Sequence, residues 1–357
     1  MNRPSNFLAP GIALAILSAV LFGASTPLAK LLLGNGLSPW LLASLLYLGS
    51  GTGLALVHLG RKAIGGAPPE APLVRADLPW LALVILSGGV IAPVLLMIGL
   101  STTPASTASL LLNLEGLATL VIAWLVFREN VDRRLLIGAA AILAGALLLS
   151  WRGGPGGGGL GMLAIAGACL GWGIDNNLTR KLSASDPVLI AMVKGLAAGI
   201  ANLVLAITLG AGMPPASDIA SAALVGFFGY GVSLVMFVLA LRHLGTARSG
   251  AYFSTAPFIG ALLAVAMFGE PITMPLVTAG VLMAIGLWLH LTESHGHEHA
   301  HEALEHEHRH VHDSHHQHDH PPGIAPDEPH SHWHRHTPMV HQHVHYPDLH
   351  HRHGHVS

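Results

Sequence analysis

Three charged residues sit inside long apolar runs of this 357-residue chain: Glu115, Asp175 and Lys194. A charge at the centre of a bilayer costs at least about 2.5–3.5 kcal/mol on insertion scales, so it faces a partner, a cavity or a pathway. Two carboxylates and one ammonium leave a net of −1, which favours a cation or a proton-coupled site. The competing reading is an internal ion pair that locks helices together. A second chemistry lies near the C-terminal end, where histidine alternates with other residues. The series runs His295, His297, His299, His301, then His306, His308, His310, His312, and returns at His332, His334, His336 and His341, His343, His345. Imidazole suits zinc, nickel, cobalt and copper. The defined four-ligand spacing of structural zinc is absent. The pattern therefore predicts several exchanging, low-selectivity sites for a divalent transition metal; the plain alternative is a solubilising low-complexity tail.

Composition says what must position these groups. Apolar residues make up 52% of the chain and charged residues 10%, against about 25% charged in soluble domains. The 42 glycines suit closely packed membrane helices. Cys169, the single cysteine, lies in an apolar run and is read as a packing residue. Charge divides the chain: residues 1–292 carry a net of +5, residues 293–357 a net of −7, and 23 of the 26 histidines fall in the second segment. That segment has too few apolar residues to bury a core, which predicts a disordered tail.

Spanning about 30 Å of hydrocarbon takes about 20 mostly apolar residues. Ten runs qualify: 11–33, 38–59, 79–100, 104–127, 133–151, 160–181, 187–210, 218–241, 246–268 and 272–291. The expected fold class is all-α integral membrane. With the N-terminus in the cytoplasm, eleven Lys and Arg at or beyond the span ends fall on the cytoplasmic side, while Lys30 and Arg152 fall on the other. The positive-inside rule then puts both termini in the cytoplasm.

The two halves resemble each other. Phe22-Gly23-Ala24-Ser25-Thr26-Pro27 aligns with Trp172-Gly173-Ile174-Asp175-Asn176-Asn177, and Lys30 with Arg180. A second block aligns at a separation of 141 residues, pairing Gly88 with Gly229, Phe127 with Phe268 and Glu129 with Glu270. Five spans per half is an odd number, so the second half inserts upside down, as in many secondary transporters. Asn113-Leu114-Glu115-Gly116 then matches Ser254-Thr255-Ala256-Pro257, and helix breaks are expected at Pro27, Gly116 and Pro257. Asn113 and Glu115 point nearly opposite ways, and Glu115 is the stronger candidate of the two. Asp175 shares a helix face with Trp172 and Thr179. The expected path comprises these residues with Lys194, Asn176, Asn177, Ser254 and Thr255. Glu129 and Glu270 read as boundary charges.

On these motifs, with the Phe-x-Glu endings Phe127-Arg128-Glu129 and Phe268-Gly269-Glu270, the chain resembles EamA domains of the drug/metabolite transporter superfamily. The resemblance covers about residues 10–292, as one repeat over 10–151 and another over 160–292, with 293–357 outside it. It implies a ten-helix permease of the cytoplasmic membrane, usually an exporter of small metabolites.

The expectation is a secondary active exporter, not an enzyme, with a divalent transition metal (nickel, cobalt or zinc) as the favoured solute. The alternatives are an organic metabolite or amino acid with a metal-binding regulatory tail, and a membrane-tethered metal buffer or sensor. No cofactor is required, although the tail would bind divalent metal. The expected partners are the lipid bilayer and the solute, without nucleic acid; a homodimer is compatible. A cytoplasm-specific reporter fused after Ser357 should be active and one inserted in 153–159 silent. The reverse pattern would refute this threading.

Overall fold

The computed structural model describes residues 5–63, 75–127, 131–151, 158–179, 187–244, 246–292, 295–301, 304–310, 330–336 and 339–345. The membrane body is helical. Its first half comprises α1 (Ser5–Gly34), α2 (Pro39–Ala63), α3 (Leu78–Val84), α4 (Ala92–Thr102), α5 (Ala105–Leu111), α6 (Leu114–Leu125) and α7 (Arg133–Trp151). The second comprises α8 (Gly158–Thr179), α9 (Pro187–Thr208), α10 (Ala216–Gly226), α11 (Ser233–Leu244), α12 (Thr246–Phe253), α13 (Ala256–Phe268) and α14 (Met274–Leu291). Each half also holds one π-helical turn, Ile85–Ile91 between α3 and α4 and Phe227–Val232 between α10 and α11.

Among the described residues, nine segments are long and apolar enough to cross a membrane. The tenth expected span corresponds to α8, which has 22 residues but carries Asp175-Asn176-Asn177 near its end. Large apolar side chains exposed along these helices, such as Leu56, Leu147, Leu163 and Leu262, form the surface that lipid would cover.

Elements recur at the 141-residue separation. The π turns correspond to within one residue, and the interruption at 112–113 matches that at 254–255 to within one residue. Two of the expected break positions need correcting. Pro27 does not interrupt α1, which runs continuously to Gly34. Gly116 lies inside α6, three residues past the break, whereas Pro257 sits in the first turn of α13 as expected. Proline is accommodated in a membrane helix when neighbours satisfy the backbone it frees.

The halves interlock. α2 lies along α9, α7 along α14, α8 against α4 and α6, and α1 against α11 and α13. The α2–α9 approach depends on glycine: a Cβ on Gly195 would lie 2.8 Å from the Cα of Gly51. This is the close backbone packing that small residues permit in membranes.

Part of the tail is described as paired strands. Four seven-residue strands, β1 (His295–His301), β2 (Leu304–His310), β3 (His330–His336) and β4 (Met339–His345), form two antiparallel pairs, β1 with β4 and β2 with β3. Both pairs keep one register, which sets His297 opposite His343 and His308 opposite His332. The physical reason is legible afterwards: alternation with period two is the strand pattern itself. His330 joins this set, while His312 lies outside the described residues.

Candidate transport site

The site grows out of the π turn at Ile85–Ile91. A Gly88-Gly89 pair followed by Pro93 cannot hold a regular α-helical ladder: Pro93 has no N–H to give the Gly89 carbonyl, four residues back. The Ala92 N–H reaches to Ser87, five residues back, which leaves the Gly88 carbonyl free as well. Side chains from elsewhere take both. The Tyr47 hydroxyl on α2 donates to the Gly88 carbonyl at 2.7 Å, and the Trp172 indole N–H on α8 donates to the same oxygen at 3.0 Å. The Asn202 amide on α9 donates to the Gly89 carbonyl at 3.1 Å. Three helices are thereby tied to one turn.

The carboxylate of Asp175 packs directly on Gly88, where a Cβ would collide with it. Asp175 is buried and paired with the Lys194 ammonium, and it accepts a 3.1 Å hydrogen bond from the Thr179 hydroxyl. Of the two readings open for these charges, the geometry gives Asp175 and Lys194 the ion pair, linking α8 to α9 beside the π turn. The pair is closed on itself electrostatically.

Glu115 is placed differently. It starts α6 just after the break at 112–113, at the positive end of a helix that begins within the span. One oxygen accepts a 3.0 Å hydrogen bond from the Asn176 amide, which also donates to the Thr119 hydroxyl at 3.2 Å. The Thr119 hydroxyl in turn donates to the Glu115 carbonyl at 2.9 Å. Among the described residues, no Lys or Arg forms an ion pair with Glu115. Asn177 spans the same seam, donating to the carbonyls of Thr119 and Gly173 at 3.0 and 2.8 Å.

Other expected path residues stand apart from this cluster. Asn113 is buried and donates to the Leu110 carbonyl at 2.8 Å, with the Met283 sulfur 3.8 Å away, so it faces α14 rather than Glu115. Ser254 and Thr255, in the break after α12, donate back to carbonyls of that helix, Gly250 and Tyr252. Tyr47, Thr119 and Asn202 belong to the cluster but carry no sequence signal, and Gly88 was legible only as the repeat partner of Gly229 and as part of the Gly-Gly pair ahead of Pro93. An aromatic series adjoins it: Tyr47 and Tyr230 stand 5.7 Å apart between ring centroids, Tyr230 and Phe22 5.9 Å, and Phe22 and Phe253 5.2 Å.

Comparison with known proteins places the whole body. The model of the EamA-like transporter family matches residues 9–151 and again 159–292. An uncharacterized transporter of Methanothermobacter thermautotrophicus is 28% identical over 288 residues, covering 77% of this chain and 84% of that protein. One crystal structure, 20% identical, superposes with a TM-score of 0.57 over 81% of this chain and 96% of the other. At that identity the likeness shows the fold alone.

Breaking a buried ion pair by removing one partner costs about 3–5 kcal/mol. Asp175→Asn should therefore destabilise the detergent-solubilised protein by that order in unfolding titrations. Adding Lys194→Met should recover most of the loss. A double variant as unstable as the two single losses combined would show that the residues act separately.

Proposed function

The chain belongs to the EamA-like transporter family, and on that premise we propose that it is a secondary active exporter of a small organic solute bearing a positive charge. The observation that supports this reading is Glu115: a half-buried carboxylate within a span, held by Asn176 and left without an ion-pair partner among the described residues. A group of that kind attracts a cation or exchanges a proton, and either event changes the charge that the path must accommodate. Its neighbours suit an organic body. Aromatic rings from α1, α2, α12 and the second π turn pack as a series beside the π turn that anchors the site. In the working cycle ten spans act as two inverted five-helix repeats that rock against each other in the cell membrane, with both termini in the cytoplasm.

A divalent metal is the second reading, and the tail is what favours it. The shared register sets histidine opposite histidine along both strand pairs. Directly opposed residues of an antiparallel pair have Cβ atoms about 4.5–5.5 Å apart, a spacing suited to two ligands on one ion. A two-stranded pair is marginal by itself, and a metal held across it would supply the missing stability. The donor set of the path fits a bare metal less well. Among the described residues, no three His, Cys, Asp or Glu side chains come together, and Lys194 already occupies Asp175. The tail then acts as a metal-binding appendage to a permease for another solute.

Uptake into inverted vesicles tests both readings, with a panel of amines, amino acids and divalent metals. Glu115→Gln should reduce uptake of the transported compound to the level of empty vesicles while the protein accumulates normally. Truncation after Thr292 should leave that uptake unchanged. Uptake of metal alone, abolished by Glu115→Gln, would select the second reading; full uptake by Glu115→Gln would refute the assignment of Glu115.

A further inference from the structure

The connection between α4 and α5 lacks caps of its own. Thr103 is extended, and Pro104 stands at the N-cap position of α5 without a side chain that can accept a hydrogen bond. The carbonyls ending α4 and the amides beginning α5 are thus orphaned, as at any helix terminus. Two charged residues distant in sequence satisfy them from opposite sides. The Lys30 ammonium on α1 donates to the carbonyls of Leu100, Ser101 and Thr103 at 2.5, 3.2 and 3.0 Å. Glu270, in the link from α13 to α14, uses both carboxylate oxygens to accept the amides of Ala105 and Ser106 at 2.7 and 2.9 Å. Each charge meets the end of the helix dipole that it complements.

One helical turn further along α5, this helix meets α1 and α13 through small residues. A Cβ on Gly260 of α13 would lie 2.7 Å from the Gly23 carbonyl of α1 and 2.9 Å from the Ser109 hydroxyl of α5. Ser109 is 1% exposed, and its hydroxyl has no hydrogen-bond partner among the described residues. Helices meeting through glycine and serine lose little side-chain contact where they part along that line. At this end the charged contacts add directional ties to the apolar packing of Leu32 on α1, Leu110 and Leu111 on α5 and Ala261 and Ala264 on α13.

We infer that Lys30 and Glu270 form a latch that closes this end of the bundle, gripping the α4–α5 turn to α1 and to the α13–α14 link. Opening the end separates α5 from α1 and α13, exposes Ser109 and breaks both sets of contacts. Lys30 and Glu270 are positioning residues: they set which end is open and do not touch the solute. This inference rests on the reading that the protein alternates access, but it concerns conformation and is measured without transport.

The test places a reporter cysteine at Ser109→Cys in the full-length protein, with Cys169→Ala to remove the native thiol, reconstituted in liposomes. A membrane-impermeant maleimide is added on the Lys30 side and, in a separate sample, on the opposite side. Lys30→Met and Glu270→Gln should each raise labelling from the Lys30 side at least tenfold and leave or lower labelling from the other side. Lys30→Arg, which keeps charged donors, should restore slow labelling. Unchanged labelling in both variants would overturn the latch. So would labelling raised equally from both sides with a lowered melting temperature, the signature of a merely structural role. If Glu115→Gln proves fully active while these shifts occur, the assignment of Glu115 fails and the latch stands.

Discussion

Backbone groups inside a bilayer have no water to turn to, and this protein depends on how it meets that constraint. At the π turn of Ile85–Ile91 the ladder releases the carbonyls of Gly88 and Gly89, and Tyr47, Trp172 and Asn202 recover them from three other helices. At the α4–α5 turn the orphaned groups are recovered by Lys30 and Glu270. In both places irregular backbone, one stretch within a span and one joining two spans, is repaired by side chains that cross to it from elsewhere, several from the opposite half. The irregular backbone is thus what stitches the halves together.

The same logic separates the charges. Asp175 and Lys194 neutralise each other against Gly88, so burying them adds rigidity near the π turn rather than an open charge. Glu115 lies one seam away, at a helix start created by the break at 112–113, with an amide for company. Two carboxylates on neighbouring helices acquire different roles from their partners. Asn176 and Asn177 extend the seam between α6 and α8, and Thr119 closes it by bonding back to Glu115.

The spans themselves could be read from hydropathy because a bilayer demands length and apolarity in each one. The run 133–151 coincides with α7, and 38–59 falls within two residues of the start of α2. Asn113 and Glu115 were expected on opposite faces of one helix; the structure instead puts Asn113 in the break at 112–113, against Met283 on α14. The π turns could not be read in this way. A π turn inserts an extra residue and rotates the face that follows, but the run 79–100 is apolar on every face and does not register the shift, and the Gly88-Gly89 pair reads equally well as packing. The continuity of α1 through Pro27 was hidden for a related reason: proline reports a missing N–H and says nothing of which neighbour makes that tolerable. In the tail, low hydrophobicity argued for disorder, and the His-x-His period was read as metal chelation and not as the period of a strand.

Taken alone, the sequence determined the membrane body, its two matched halves dividing at about residue 152, and the distinct composition of the histidine segment. All of these follow from local composition and from spacing along the chain. Tertiary structure alone decided that Lys194 belongs to Asp175, that Glu115 keeps company with Asn176, and that Glu270 caps a turn 165 residues away. Glu115, Asp175 and Glu270 are each a carboxylate at or within an apolar run. What distinguishes them is which helix lies opposite, and that is fixed by interhelical packing through glycines such as Gly51 and Gly195 rather than by neighbours in the chain.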